Sequence, residues 1–170
     1  MKMKNRISTL VAITICLGAS AALAVPVTYF GEDLSPGGTV PAGGNAETAR
    51  NSFLSQLTGV GSEDFESFAN LTSIGGAGIN LSFPGSSGAI TANLSGGGGI
   101  CDQTIGGTVN GLTCGFSRFA TSGDNYLQNA SNMTLSFSDP ISAFGFYGTD
   151  FGDFSGKVNL TFTNGTTETF

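Results

Sequence analysis

Two acidic segments carry residue types at a spacing that could bind a divalent cation. The first, EDFE, is predicted to begin a β-strand, which would place Asp64 and Glu66 on one strand face. The second, TDFGD, contains Asp150 and Asp153 in a predicted turn, where both carboxylates could converge on one ion. Calcium binds about six to eight oxygen atoms from carboxylates, backbone carbonyls and water. These four residues are therefore candidate calcium ligands.

Each acidic segment also has an ordinary structural interpretation. The acids of EDFE can be solvated residues on either side of Phe65, as most charged side chains are. Asp150 and Asp153 can accept hydrogen bonds from the backbone N–H groups of their own turn, a frequent role for aspartate. The sequence leaves both interpretations open beside the calcium hypothesis.

The absence of histidine narrows the possible catalytic chemistry. Without it, neither a Ser-His-Asp triad nor a Cys-His pair can form, and two cysteines alone cannot complete a tetrahedral zinc site. A pair of carboxylates about 5–9 Å apart could still hydrolyse glycosidic bonds. Tryptophan, the usual platform for sugar stacking, is also absent, which leaves Tyr126 and Tyr147 as candidates that are more readily explained as half-buried residues. We therefore predict a non-enzymatic protein that needs no cofactor, with calcium as the one metal to consider.

The N-terminus predicts export. Lys2, Lys4 and Arg6 precede a short apolar run that ends in Ala-Leu-Ala at residue 24, the pattern of a cleavable signal peptide over residues 1–24. The uncharged run is short for a transmembrane helix, which needs about 20 apolar residues, and an uncleaved anchor is the alternative interpretation. After cleavage no stable membrane span is expected. The mature chain would keep three cations against twelve acids, a net charge of −9, which disfavours nucleic acid as a partner.

Export also bears on the two cysteines that remain in the mature chain. An oxidising compartment favours a disulfide between Cys101 and Cys114. Closing a loop of this size would stabilise the fold by about 3 kcal/mol in the chain-entropy model. The segment that contains the pair, residues 94–116, is glycine-rich and is predicted to be a long loop or irregular hairpin that the disulfide clamps.

The hydrophobic pattern predicts an all-β protein with one short helix. Residues 25–45 form a Pro/Gly-rich leader, and Asn45 is the predicted N-cap of a helix that Gly59 can end. Beyond it, apolar residues alternate with polar ones in short runs, the pattern of antiparallel strands in a β-sandwich or jelly roll over residues 46–170. These runs are residues 64–74, 78–83, 88–96, 133–138, 141–148 and 157–170, the last with an Asn164-Gly165 hairpin turn.

Three blocks of the chain resemble a group of secreted bacterial proteins that carry a PEP-CTERM sorting signal. The blocks are YFGEDLSPGGTVPAGGNAETARNSFLSQLTGVGSEDFESF, LSFPGSSGAITANLSG and SDPISAFGFYGTDFGDFSGKVNLTFTNGTT, and the resemblance covers most of residues 29–170. It implies an exported β-sandwich tied to the cell envelope and to exopolysaccharide. Members continue with further strands, a Pro-Glu-Pro motif, an apolar helix and a basic tail. The chain is therefore expected to be truncated, with an incomplete sandwich.

These observations lead to one main functional hypothesis and one alternative. The main hypothesis is a secreted protein of a bacterial cell surface or extracellular matrix, structural or adhesive, with polysaccharide or other envelope proteins as partners. The alternative is a carbohydrate-binding module stabilised by calcium.

Overall fold

The computed structural model describes residues 27–34, 40–115, 119–149, 159–162 and 167–169. The predicted signal peptide and the predicted domain limits at residues 24 and 170 lie outside these ranges, so they stay predictions. The described elements are one helix, α1 (Asn45–Leu54), and ten short strands. The strands are β1 (Thr72–Ser73), β2 (Ile79–Gly85), β3 (Gly88–Gly96), β4 (Gly99–Asp102), β5 (Gly107–Val109), β6 (Leu112–Cys114), β7 (Asn125–Gln128), β8 (Met133–Phe137), β9 (Asn159–Thr161) and β10 (Thr167–Thr169).

All described strand pairs are antiparallel, in four small sheets. Two sheets have three strands, in the orders β1-β4-β7 and β2-β3-β8, and the pairs β5-β6 and β9-β10 form two-stranded sheets. The predicted all-β class with one short helix is thus confirmed. The pairing of β9 with β10 also agrees with the predicted C-terminal hairpin, although its Asn164-Gly165 turn lies outside the described residues.

The two three-stranded sheets share one hydrophobic core. Leu81, Ala92 and Leu94 reach it from β2 and β3, and Ile100 reaches it from β4. Ile74 lies where the sheets meet, since its N–H donates to the Gly98 carbonyl and its own carbonyl accepts from the Gly96 N–H. The predicted alternation over residues 78–83, 88–96 and 133–138 is confirmed, because most apolar positions of β2, β3 and β8 face this core, although Met133 at the start of β8 is exposed.

The segment predicted as a long loop or irregular hairpin is built mostly of strands, and β5 with β6 forms the hairpin. Between residues 94 and 116 the chain crosses from one sheet to the other and forms β4, β5 and β6. A Cβ on the buried Gly98 would collide with the Gln128 carbonyl, so only glycine allows this close backbone crossing. Asn110 and Gly111, with φ of 49° and 80°, form the two-residue turn between β5 and β6. This Asn-Gly pair is the hairpin signal that would have predicted the strands.

The N-terminus of α1 is capped by a residue that lies twelve positions earlier in the sequence, not by the predicted Asn45. Asn45 is the first helical residue. The cap position is occupied by Gly44, which has no side chain to accept a hydrogen bond. Instead, the Asp33 carboxylate accepts from the N–H groups of Asn45 (2.8 Å) and Ala46 (2.9 Å). Part of the predicted leader therefore supplies the acceptor that free helical N–H groups require.

Two predicted strands are absent. Residues 64–71 form turns, with only β1 at their end, and residues 139–149 contain no strand. Phe65 and Leu71 both have a φ of 66°, which is incompatible with a continuous strand. Among the described residues, the helix is too short and too polar to cross a membrane.

Candidate functional site

The EDFE segment is a compact turn, so the prediction that Asp64 and Glu66 share a strand face is wrong. The Phe65 N–H donates to the Glu63 carboxylate (2.7 Å), and the Glu66 N–H donates to the Asp64 carboxylate (3.1 Å). Both are local bonds across two residues, the Asx-turn geometry and its glutamate counterpart. They hold the chain in the bend that gives Phe65 its left-handed backbone. Glu63 and Asp64 therefore have a turn-forming role, which the sequence predicted for Asp150 and Asp153 and not for this segment.

Glu66 joins this turn to a strand almost sixty residues later. Its Oε1 atom accepts from the N–H groups of Asp124 (2.8 Å) and Asn125 (2.7 Å), at the beginning of β7. In return, the Asn125 side-chain amide donates to the carbonyls of Phe65 and Phe68, both at 3.0 Å. Hydrogen bonds to a charged acceptor are roughly twice as strong as neutral ones. These reciprocal bonds, which we call the Glu66–Asn125 clamp, fix where β7 starts.

The calcium site remains a prediction that the described residues neither complete nor exclude. They contain no group of three or more acidic or cysteine side chains close enough to hold a metal ion. Asp150 and Asp153 lie outside the described residues, so their distance from Asp64 is not defined. Within the described part, the Oε1 atom of Glu66 already accepts from two backbone N–H groups, those of Asp124 and Asn125.

The predicted disulfide between Cys101 and Cys114 is present. It joins β4 to β6, with a Cα–Cα distance of 5.3 Å, and both residues are buried. Val109 and Tyr126 pack against it, and the Tyr126 hydroxyl accepts from the Gly115 N–H (3.0 Å). Tyr126 is therefore half-buried against the crosslink, as its ordinary interpretation predicted. It is not an open platform for a sugar ring.

Asp102, directly after the disulfide-bonded Cys101, organises the turn that leads to β5. Its Oδ1 accepts from the hydroxyl and the N–H of Thr104, both at 2.6 Å, and from the Ile105 N–H at 3.2 Å. These bonds, led by the one from the Thr104 hydroxyl, lower the pKa of Asp102 below its usual value, because they favour the charged carboxylate. Asn70 supports the same corner, since it accepts from the Asp102 N–H and donates to the Gly106 carbonyl.

The segment from residue 141 to residue 149 carries exposed aromatic rings instead of the predicted buried strand. Phe144 and Phe146 are 42% and 47% exposed, and their rings stack at a centroid distance of 6.0 Å. Phe144 also contacts Phe137 of β8 edge-on at 6.3 Å. Partial burial raises the pKa of Tyr147, with Arg50 lowering it and Glu47 raising it in smaller measure. These rings extend the core outwards from the edge of the β2-β3-β8 sheet.

Comparison with known proteins identifies no relative for this fold. No protein-family model matches the chain, and the comparisons with curated proteins and with solved structures gave no match either.

Proposed function

We propose that this chain is an exported, non-enzymatic protein of a bacterial cell surface or extracellular matrix, where it associates with exopolysaccharide in a structural or adhesive role. The observation that carries the non-enzymatic part of this proposal is the structural use of four carboxylates in the described part of the chain. Asp33, Asp64, Glu66 and Asp102 all accept backbone N–H groups at helix, turn or strand termini. Side chains used in this way hold loops in place instead of presenting a paired acid and base to a substrate.

The buried disulfide supports the exported location. A crosslink between two sheet strands persists in an oxidising compartment and is rare where thiols are kept reduced. The N-terminal pattern of cations and apolar residues supports the same compartment. The resemblance to secreted envelope proteins supports the association with exopolysaccharide.

Fractionation of producing cells tests this proposal. We expect the protein in the surface or matrix fraction, with Cys101 and Cys114 resistant to alkylation until a reductant is added. Enzymatic removal of the exopolysaccharide should then release the protein into the medium. Protein that stays in the cytoplasm, or that stays on the surface after complete polysaccharide removal, would contradict it.

The alternative, a carbohydrate-binding module stabilised by calcium, keeps Asp64, Glu66, Asp150 and Asp153 as ligands. It is the weaker proposal, because the Oε1 atom of Glu66 already accepts two backbone N–H groups. Thermal unfolding with calcium and with EDTA separates the two. A clear rise in the melting temperature with calcium would favour the alternative, and identical curves would remove it.

A further inference from the structure

The outer side of the β2-β3-β8 sheet is a regular array of small uncharged polar residues. On one side of this sheet, opposite the core, seven residues alternate with the apolar positions. They form what we call the polar face: Asn80, Ser82, Thr91, Asn93, Ser95, Thr134 and Ser136. The strand register aligns Asn80, Asn93 and Ser136 in one row across the three strands, and Ser82 and Thr91 in the next. Directly opposed side chains in such a sheet lie about 4.5–5.5 Å apart.

The hydroxyl groups of this face are available to a partner. Within the described part of the chain, those of Ser82, Thr91, Thr134 and Ser136 accept and donate no hydrogen bond, and all four residues are exposed. The Asn93 amide is held in place, since it donates to the Asn80 side chain and to the Ala77 carbonyl, both at 3.0 Å. On the opposite side of the same strands, Leu81, Ala92 and Leu94 are buried in the shared core. The packed core therefore holds the polar face rigid.

The strands of this face carry no charged side chain although the protein is acidic. The Asp139 carboxylate lies just beyond β8, where it accepts from the Ser138 hydroxyl. The whole chain has a net charge of −6, yet β2, β3 and β8 contain no acidic or basic residue. A surface of hydroxyls and amides offers donors and acceptors together, with no ion to attract or repel. An ionic partner would find no countercharge here, whereas a neutral polymer dense in hydroxyl groups would find matching donors and acceptors.

We propose that the polar face binds the chains of a neutral polysaccharide. The inference rests on the proposed association with exopolysaccharide and assigns it to one surface. On binding, each hydroxyl exchanges its hydrogen bonds to water for hydrogen bonds to sugar. The net binding free energy per contact is therefore small. Appreciable binding therefore depends on many contacts along a polymer, and short oligosaccharides should bind far more weakly than long chains.

Affinity electrophoresis of the purified chain tests the inference, with dextran and a mixed-linkage β-glucan as neutral probes and alginate as an anionic one. The variant Thr91→Val/Thr134→Val removes two hydroxyls from the polar face at nearly constant shape. The matched control Thr108→Val/Thr113→Val makes the same change at an exposed cross-strand pair of β5 and β6. We expect the first variant to bind a neutral probe about tenfold more weakly, or about 1.4 kcal/mol, and the control to bind as the unchanged protein does. Thermal unfolding verifies that both variants are folded.

The outcomes separate this inference from the proposed function. If the unchanged protein binds a neutral probe and both variants bind equally well, polysaccharide association stands and its assignment to the polar face is overturned. Binding to alginate alone overturns the neutral specificity. Failure of the unchanged protein to bind any of the three probes, or its native matrix polysaccharide, overturns the inference and the proposed function together.

Discussion

The two three-stranded sheets share one core but are held together in different ways. The β2-β3-β8 sheet has long strands whose polar and apolar residues alternate regularly, and seven residue pairs join β2 to β3. The β1-β4-β7 sheet contains a strand of only two residues and depends on bonds from side chains outside it. The Glu66–Asn125 clamp positions β7, and the disulfide joins β4 to the adjacent hairpin. We refer to the first as the patterned sheet and to the second as the clamped sheet.

The difference shows two routes to a β-sheet in a chain with few charges and many glycines. In the patterned sheet, burial of alternate residues selects the register, because a slip by one residue would expose the whole apolar set. In the clamped sheet, the strands are too short for this pattern to select a register. Specific polar bonds position them instead and satisfy backbone groups that a short ladder leaves unpaired, while the disulfide ties β4 to the adjacent β5-β6 hairpin.

The largest expected effect comes from the core that both sheets share. Leu94→Ala in β3 removes a side chain that is 3% exposed and leaves a cavity between the sheets. We expect the free energy of unfolding to fall by about 2–5 kcal/mol, measured by urea denaturation. The control Leu34→Ala, at an exposed leucine outside the core, should change it little. A small effect of Leu94→Ala would mean that the sheets do not depend on one core.

Removal of the disulfide should affect the clamped sheet more than the patterned one. Cys101→Ala/Cys114→Ala is expected to lower the free energy of unfolding by about 3 kcal/mol, because the unfolded chain is no longer constrained. Hydrogen exchange should accelerate most in β4, β5 and β6. If hydrogen exchange accelerates equally in β2 and β3, the two sheets unfold as one unit. The clamped sheet would then not depend on the disulfide more than the patterned sheet does.

Glu66→Gln tests the clamp without changing its shape. The neutral amide loses the charge assistance of two backbone hydrogen bonds, so we expect a loss of about 1–3 kcal/mol in urea denaturation. Glu32→Gln is the matched control, since that exposed carboxylate makes no hydrogen bond within the described residues. If the two variants are equally stable, β7 is positioned by its strand partner β4 alone.

The smallest expected effect concerns pH and Asp102. Its folded pKa lies below the unfolded value of about 3.9, so the carboxylate stabilises the fold above that value. This contribution is lost as the pH falls through the folded pKa. Asp102→Asn should therefore be less stable than the unchanged protein at neutral pH, with the difference shrinking below about pH 4. A difference that is constant with pH would show that the Thr104 bonds do not depend on the charge of Asp102.

Much of the patterned sheet can be predicted from the sequence, whereas most of the clamped sheet cannot. Alternation marks β2, β3 and β8 directly, since each strand has one face in the core and one in water. The partners Glu66 and Asn125 are far apart in sequence, and neither carries a local signal for the other. The same holds for Asp33 at the N-terminus of α1, where a distant residue replaces the predicted local cap.

The aromatic segment shows the limit of a pattern argument. Phe144 and Phe146 alternate as strand residues do, yet the chain there makes no strand, and their rings stack on one another. A strand needs a partner with free backbone groups, and alternation within one segment says nothing about whether such a partner is adjacent. The candidate ligands Asp64 and Glu66 do not share a strand face for a different reason, because local turn bonds outweigh the alternation around Phe65.

By itself, the sequence determined the antiparallel β class, the strands of the patterned sheet and the pairing of Cys101 with Cys114. The first two follow from local periodicity, and the pairing follows from the predicted export, which leaves these two cysteines as partners. The tertiary structure decided what the carboxylates do and which faces carry groups free for a partner. Both depend on backbone groups brought close by folding, such as the N–H groups of Asp124 and Asn125 beside Glu66. A carboxylate binds the nearest unpaired donors, and only the folded chain defines which donors those are.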